Sequence, residues 1–204
     1  MDQVRSRQSL RRLTSAVFLR CLAVVLCPAL FTLFAALAAS GQSPRPTDLQ
    51  VKAAYLYNFG KFVRWPEGSF AEPVFTVCVL GGDPFEGALD QVTDGQTING
   101  VPVKVTRIAS PGGINGCRVL FIKGTEGNLV RSALVAARKT SVLTVSDAPE
   151  FLRQGGMIQF VLVQDHVRFE VNLNAVREGG LQLSAELLKV ATKVVALNSS
   201  GAPQ

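Results

Sequence analysis

The sequence is poor in the side chains most active sites are built from. It holds one histidine, His166, four cysteines, one tryptophan and two tyrosines among 204 residues. A single imidazole cannot complete a zinc cage or a histidine pair, and two cysteines outside the N-terminal region are too few to do so without it. Charged residues make up only 18% of the chain, and the hydrophobic fraction is 48%. That balance excludes an extended disordered chain and suits one domain with a sizeable core. A surplus of basic charge is also missing from the body of the chain, despite a formal net charge of +6. Arg5, Arg7, Arg11, Arg12 and Arg20 precede the first apolar run, opposed only by Asp2. Without those five of 21 basic and one of 15 acidic residues the remainder carries +2. Nucleic acid is therefore not expected as a partner.

The start of the chain is ordered as an export signal. Residues 1–20 are basic and polar, residues 21–37 are apolar, and Ala36-Leu37-Ala38 places small residues around a cleavage position. A signal peptide over 1–38 is expected, with retention of residues 21–38 as an inner-membrane anchor the competing reading. Both readings put the rest of the chain in the periplasm. Residues 39–47 read as a linker, 48–197 as one domain and 198–204 as a polar, flexible tail. Past the leader only Cys78 and Cys117 remain, and an oxidising compartment favours their pairing.

The domain alternates apolar runs with amphipathic segments. Apolar positions 51, 54, 55, 59, 62 and 63 follow helical spacing up to Trp65, where Pro66 ends the pattern. Strands are expected over 74–80, 97–109, 117–122, 141–145, 157–163 and 167–173. Helices are expected over 85–92, 126–138, about 174–178 and 184–196. Asn99-Gly100 reads as a tight turn, and Gln164-Asp165-His166 as a hairpin turn. This order predicts an α/β fold. Its mostly parallel sheet has about six strands flanked by helices, with a C-terminal antiparallel hairpin and a final helix. Right-handed crossovers put 103–108 and 117–122 on opposite sides of 74–80, which makes a Cys78–Cys117 bridge plausible.

Several segments in order resemble the YfiR family of periplasmic regulatory proteins. They are VKAAYLYNFGKFVRWP (51–66), VCVLGGDPF (77–85), CRVLFI (117–122), VLTVSD (142–147), FLRQGGMIQF (151–160) and VRFEVNLNAVREGGLQLSAELLKVA (167–191). The resemblance implies a repressor that docks on the periplasmic sensor domain of an inner-membrane diguanylate cyclase or sensor kinase. It implies relief by an outer-membrane lipoprotein or receptor, and a homodimer in many members. Some members carry a second cysteine pair where this chain has Leu152 and Gln159, beside Gly155-Gly156.

Three readings of local chemistry stand beside the resemblance. Gly81-Gly82-Asp83-Pro84-Phe85 is similar to the signature loop of diguanylate cyclases, but proline replaces the acidic residue that chemistry needs, so it reads as a strand-to-helix turn with Asp83 as cap. Gly81, Gly82 and Asp83, with Lys123, Gly124 and Thr125 and with Ser146 and Asp147, all follow strand ends. There an open α/β sheet binds ligands, so these are candidate ligand loops, with Phe169, Asn172 and Asn174 as possible neighbours. Tyr55, Tyr57, Asn58, Phe62 and Trp65 are more large groups than one helical stripe absorbs, so they are the candidate partner or dimer surface. No catalytic constellation, metal site or cofactor is expected. The function expected is regulation by protein contact, with a small-ligand receptor as the alternative.

Overall fold

Thr47 opens the first helix by a reciprocal cap: its side chain accepts from Gln50 N–H while the Gln50 side chain accepts from Thr47 N–H. The computed structural model describes residues 46–68, 73–124, 127–138 and 140–197. The leader, most of the linker, the tail and Thr125 lie outside the described residues. From Thr47, α1 runs Asp48–Phe62. It stops three residues short of Trp65 because the chain turns extended before Pro66. Val63–Arg64 (β1) pairs antiparallel with Gln182–Leu183 (β9), and Ser184 N–H donates to Phe62 O.

The remaining elements are β2 (Phe75–Leu80), α2 (Ala88–Thr93), β3 (Thr97–Ile98), β4 (Val101–Ile108), a 3-10 turn (Pro111–Ile114), β5 (Val119–Ile122) and α3 (Gly127–Ala137). They continue with β6 (Leu143–Ser146), β7 (Ile158–Val163), β8 (His166–Asn172), α4 (Leu173–Glu178), β9, α5 (Ala185–Val190) and β10 (Lys193–Val195). The main sheet has eight strands in the order β10-β8-β7-β6-β5-β2-β4-β3. The α/β class is as expected, but the sheet is mixed, not mostly parallel, and has eight strands, not about six. Antiparallel pairs form at β7/β8 and β3/β4. Residues 97–109 split at Asn99-Gly100, both at positive φ, into a small hairpin. The expected final helix ends at Val190. Val194 and Val195 satisfy helical spacing, but as β-branched residues they join β8 as a parallel edge strand instead.

Strand β2 sits between β4 and β5, parallel to both. Its side chains alternate between two cores. Phe75, Val77 and Val79 face α1 with Phe59, Phe121, Phe160 and Phe169. Cys78 and Leu80 face α3 with Ile114, Leu120, Ile122, Val130 and Phe151. Burial on both faces explains the unbroken apolar run in this strand and in β5. Cys78 and Cys117 are joined, with Cα atoms 5.7 Å apart, and both are buried.

Asn172 ties the far end together. Buried completely, its Oδ1 accepts from the N–H groups of Asn174, Ala175 and Leu197, and its Nδ2 donates to Leu152 O. It caps α4 while also holding Leu197 and the loop before β7. That loop is further held by Leu152 N–H donating to Gln159 Oε1 at 3.3 Å.

Two variants test these fastenings. Replacing both Cys78 and Cys117 by Ala is expected to cost about 4 kcal/mol, the loop-closure value for this separation, read by urea unfolding. Asn172→Ala is expected to cost about 3 kcal/mol, because it removes a helix cap and strands buried backbone groups.

Candidate functional site

The carboxyl ends of β2, β5 and β6 bring three of the expected loops to one end of the sheet. At β2 the chain leaves through Gly81 and Gly82, both at positive φ. At β5 it leaves through Lys123 and Gly124. A Cβ on Gly124 would lie 2.6 Å from Ala148 Cα, so only glycine lets the β5 and β6 exits pass each other. Gly81 packs beside Lys123 in the same way, with 3.3 Å between its would-be Cβ and Lys123 Cβ.

Polar groups at this end bind one another. Ser146 is fully buried; its hydroxyl donates to Ile122 O at 2.6 Å and accepts from Ala148 N–H at 3.0 Å. Asp147 Oδ1 accepts from Gly124 N–H, and Oδ2 takes Lys52 Nζ at 2.7 Å. Lys52 lies on the first turns of α1, so this pair fastens that helix to the β6 exit. Asp83 does not cap α2 as expected. It accepts from Phe85 N–H at 2.8 Å in a local turn, and α2 starts later, after Gly87. Its other oxygen accepts from Arg107 Nε at 3.0 Å. Arg107, on β4, also grips Asp90 of α2. This Arg107–Asp83–Asp90 cluster was invisible in the sequence, because its members are 17 and 24 residues apart with no motif joining them.

Beside Asp147 a cavity of about 290 Å³ is lined by Lys52, Asp147, Phe160, Val161 and Leu162. It opens where β6 has ended and β7 continues. A second hollow, about 420 Å³, lies at the opposite end among Val63, Arg64, Trp65, Pro66, Glu67, Gly68, Asn99 and Arg118. Burial pushes the Arg118 guanidinium below its ordinary pKa. Phe169, Asn172 and Asn174 do not join the strand-end loops as a group. Because β8 runs antiparallel to β7, Asn172 lies opposite Met157, level with Thr144 inside β6, and the chain through Asn174 leads away from the exits, while Phe169 is buried under α1.

The aromatic cluster of α1 is mostly spent on the core. Tyr55 packs on Phe59, Phe160 and Phe169 at centroid distances of 5.9, 6.0 and 5.3 Å. Tyr57 is buried, and its hydroxyl donates to Gln96 Oε1 at 3.1 Å. Trp65 stacks edge-on against Phe75. Of the five candidates, Phe62 is exposed and Asn58 half-buried. The helix absorbs more aromatics than one stripe because it touches the sheet on one flank and α2 with the β3 turn on another.

Among the described residues no group of three or more His, Cys, Asp or Glu side chains is placed to hold a metal ion. No described helix is long and apolar enough to cross a membrane. His166 begins β8 at the hairpin turn, exposed, with Nδ1 2.6 Å from Gln164 O.

A family model described as YfiR/HmsC-like (DUF4154) matches residues 49–192, from the first turn of α1 to the residue before β10. No protein of curated function matches the chain. Among solved structures, the ABC domain in complex with L-Trp from Streptococcus pneumonia is 11% identical, with a TM-score of 0.46. The match covers 70% of this chain and 60% of that one.

The Arg107 cluster generates a pH test. The hydrogen bond from Arg107, ahead of its charge, holds the Asp90 carboxyl below its ordinary pKa. A lowered folded-state pKa contributes stability that is present above the unfolded value and lost as pH falls through the folded one. Melting temperature is therefore expected to drop on acidification below about pH 5, and Asp90→Asn is expected to make that drop shallower. An unchanged acid limb in the variant counts against the pairing.

Proposed function

Because the chain belongs to the YfiR/HmsC-like family, we propose that it is a periplasmic regulator that holds the sensor domain of an inner-membrane signalling enzyme in its inactive conformation. The supporting observation is the family match over residues 49–192, which spans nearly the whole described domain. A diguanylate cyclase is the favoured target and a sensor kinase the next. An outer-membrane lipoprotein or receptor that takes up the regulator would relieve the inhibition. The export signal read from residues 1–38 supports the compartment, and the chain works there without enzymatic chemistry of its own.

Inhibition of this kind needs no reaction at the interface. It needs the regulator to bind the inactive conformation of its target better than the active one. Turning a target from 99% active to 99% inactive takes a difference of about 5.5 kcal/mol between the two conformations. A modest protein interface supplies that if a few of its contacts exist in one state only.

A second reading, a small-ligand receptor at the strand-end loops, finds less support. The hydroxyl of Ser146 and the carboxylates of Asp83 and Asp147 are engaged within the protein.

Deleting the gene is expected to raise cellular cyclic di-GMP several-fold, measured by mass spectrometry of nucleotide extracts, and re-expression of the exported protein should restore it. A version lacking residues 2–38, confined to the cytoplasm, is expected not to restore it. Unchanged cyclic di-GMP and unchanged kinase output after deletion would sink the regulatory reading.

A further inference from the structure

Strand β6 is shorter than its neighbour. It pairs with β7 only through Val145↔Ile158 and Ser146↔Gln159. Beyond Ser146 the chain turns away, held by the Ser146 hydroxyl and Ala148 N–H. Strand β7 runs on through Phe160, Val161, Leu162 and Val163, still paired with β8 on its other side. Among the described residues no strand flanks these four on the β6 side.

The direction of each backbone group follows from two hydrogen bonds. Asn172 N–H donates to Met157 O, so Met157 and Asn172 are a bonded antiparallel pair. Bonded and non-bonded pairs alternate along such a ladder. Gln159, Val161 and Val163 therefore turn their N–H and C=O groups toward β8. Phe160 and Leu162 turn theirs toward the open side. Thr192 N–H donating to Phe169 O agrees, since Phe169 stands opposite Phe160 and must also point outward.

This edge differs from the other two. Exposed strand edges are normally guarded by charge, proline or brevity. Strand β4 carries Pro102, Lys104 and Arg107, and β10 is three residues long and begins with Lys193. The segment Phe160–Val163 is Phe-Val-Leu-Val, with no guard. Leu162 is 64% exposed and Val163 39%. The space in which β6 would have continued is the cavity of about 290 Å³. Its floor is apolar at Phe160 and Leu162, and the Lys52–Asp147 pair stands at its polar end.

We propose that the β7 edge at Phe160–Val163 receives an extended segment of a partner protein as an added strand. Resting on the regulatory function above, this would be the surface through which the partner is held. Leu162 N–H and the C=O groups of Phe160 and Leu162 bond the incoming backbone. One apolar side chain of the segment enters the cavity, and a polar or charged neighbour meets Lys52 and Asp147. A second copy of this chain is the poorer occupant. Two tips of four residues laid edge to edge bury well under the roughly 1,000 Å² a stable interface needs, whereas an extended segment fills the cavity as well.

Strand parity makes the test specific. Leu162→Pro removes an N–H that the hairpin does not use and is expected to fold, with a melting temperature within a few degrees of the parent. Val161→Pro removes a ladder bond and is expected to destabilise strongly. Leu162→Lys serves as a second folded variant that guards the edge. The full exported protein is panned against phage-displayed linear octapeptides. Enriched peptides are expected to alternate apolar and polar residues, to bind both variants at least 10-fold more weakly, and to slow hydrogen exchange at the Leu162 amide.

No enrichment, or peptides that bind the variants equally well, would overturn the proposal. So would a wild-type dimer that Leu162→Lys converts to monomer, which would make the occupant a second copy. In cells, Leu162→Lys is expected to raise cyclic di-GMP as deletion does. If deletion has an effect and Leu162→Lys has none, this surface is wrong and the regulatory reading stands. If neither changes cyclic di-GMP or kinase output while the peptides bind as described, the strand site stands and the regulatory reading falls.

Discussion

Burial of β2 on both faces is the constraint from which the rest of the molecule is arranged. A strand with Phe75, Val77 and Val79 on one side and Cys78 and Leu80 on the other needs a helical layer over each. α1 supplies the first and α3 the second. Placing β4 and β5 on opposite sides of β2 then fixes where each crossover passes and where the chain leaves each strand. The crowded exit at Gly124 and Ala148, the Lys52–Asp147 pair and the Arg107 cluster all follow from that placement. They are the means by which closely packed exits and layers are held in register.

How far the sequence discloses this depends on the range of the interaction. Continuous apolar runs at 74–80 and 117–122 announce strands buried on both faces, and crossover handedness places them beside each other. Turn chemistry at Asn99-Gly100 and at Gln164-Asp165 announces both hairpins, because the backbone conformation needed is local. The C-terminal segment departs from its local pattern for a long-range reason. Leu187, Leu188, Ala191, Val194 and Val195 satisfy helical spacing, while the deciding factor, an unpaired edge on β8, lies about 20 residues away. The aromatic residues of α1 are buried beyond expectation because a helix clasped on two flanks hides more surface than a single stripe predicts.

The candidate sites were legible as positions but not as chemistry. That glycines and short polar residues follow three strand ends is plain from the sequence. That Ser146 spends its hydroxyl on Ile122 O, or that Asp147 meets a lysine 95 residues earlier, is a matter of tertiary packing. The overhang of β7 beyond β6 is less legible still. It depends on pairing register, and no composition or periodicity records where one strand stops relative to its neighbour.

The contact between Leu152 and Gln159 has a consequence for how the protein matures. A domain with two bridges has three ways to join four thiols, two of them wrong, and depends on an isomerase to correct them. Here an amide side chain, and no second bridge, fastens the loop before β7. The described domain has one possible internal pairing, so an oxidising compartment yields the native linkage or none. Its biogenesis should therefore depend on the oxidant alone and be indifferent to loss of the disulfide-shuffling machinery.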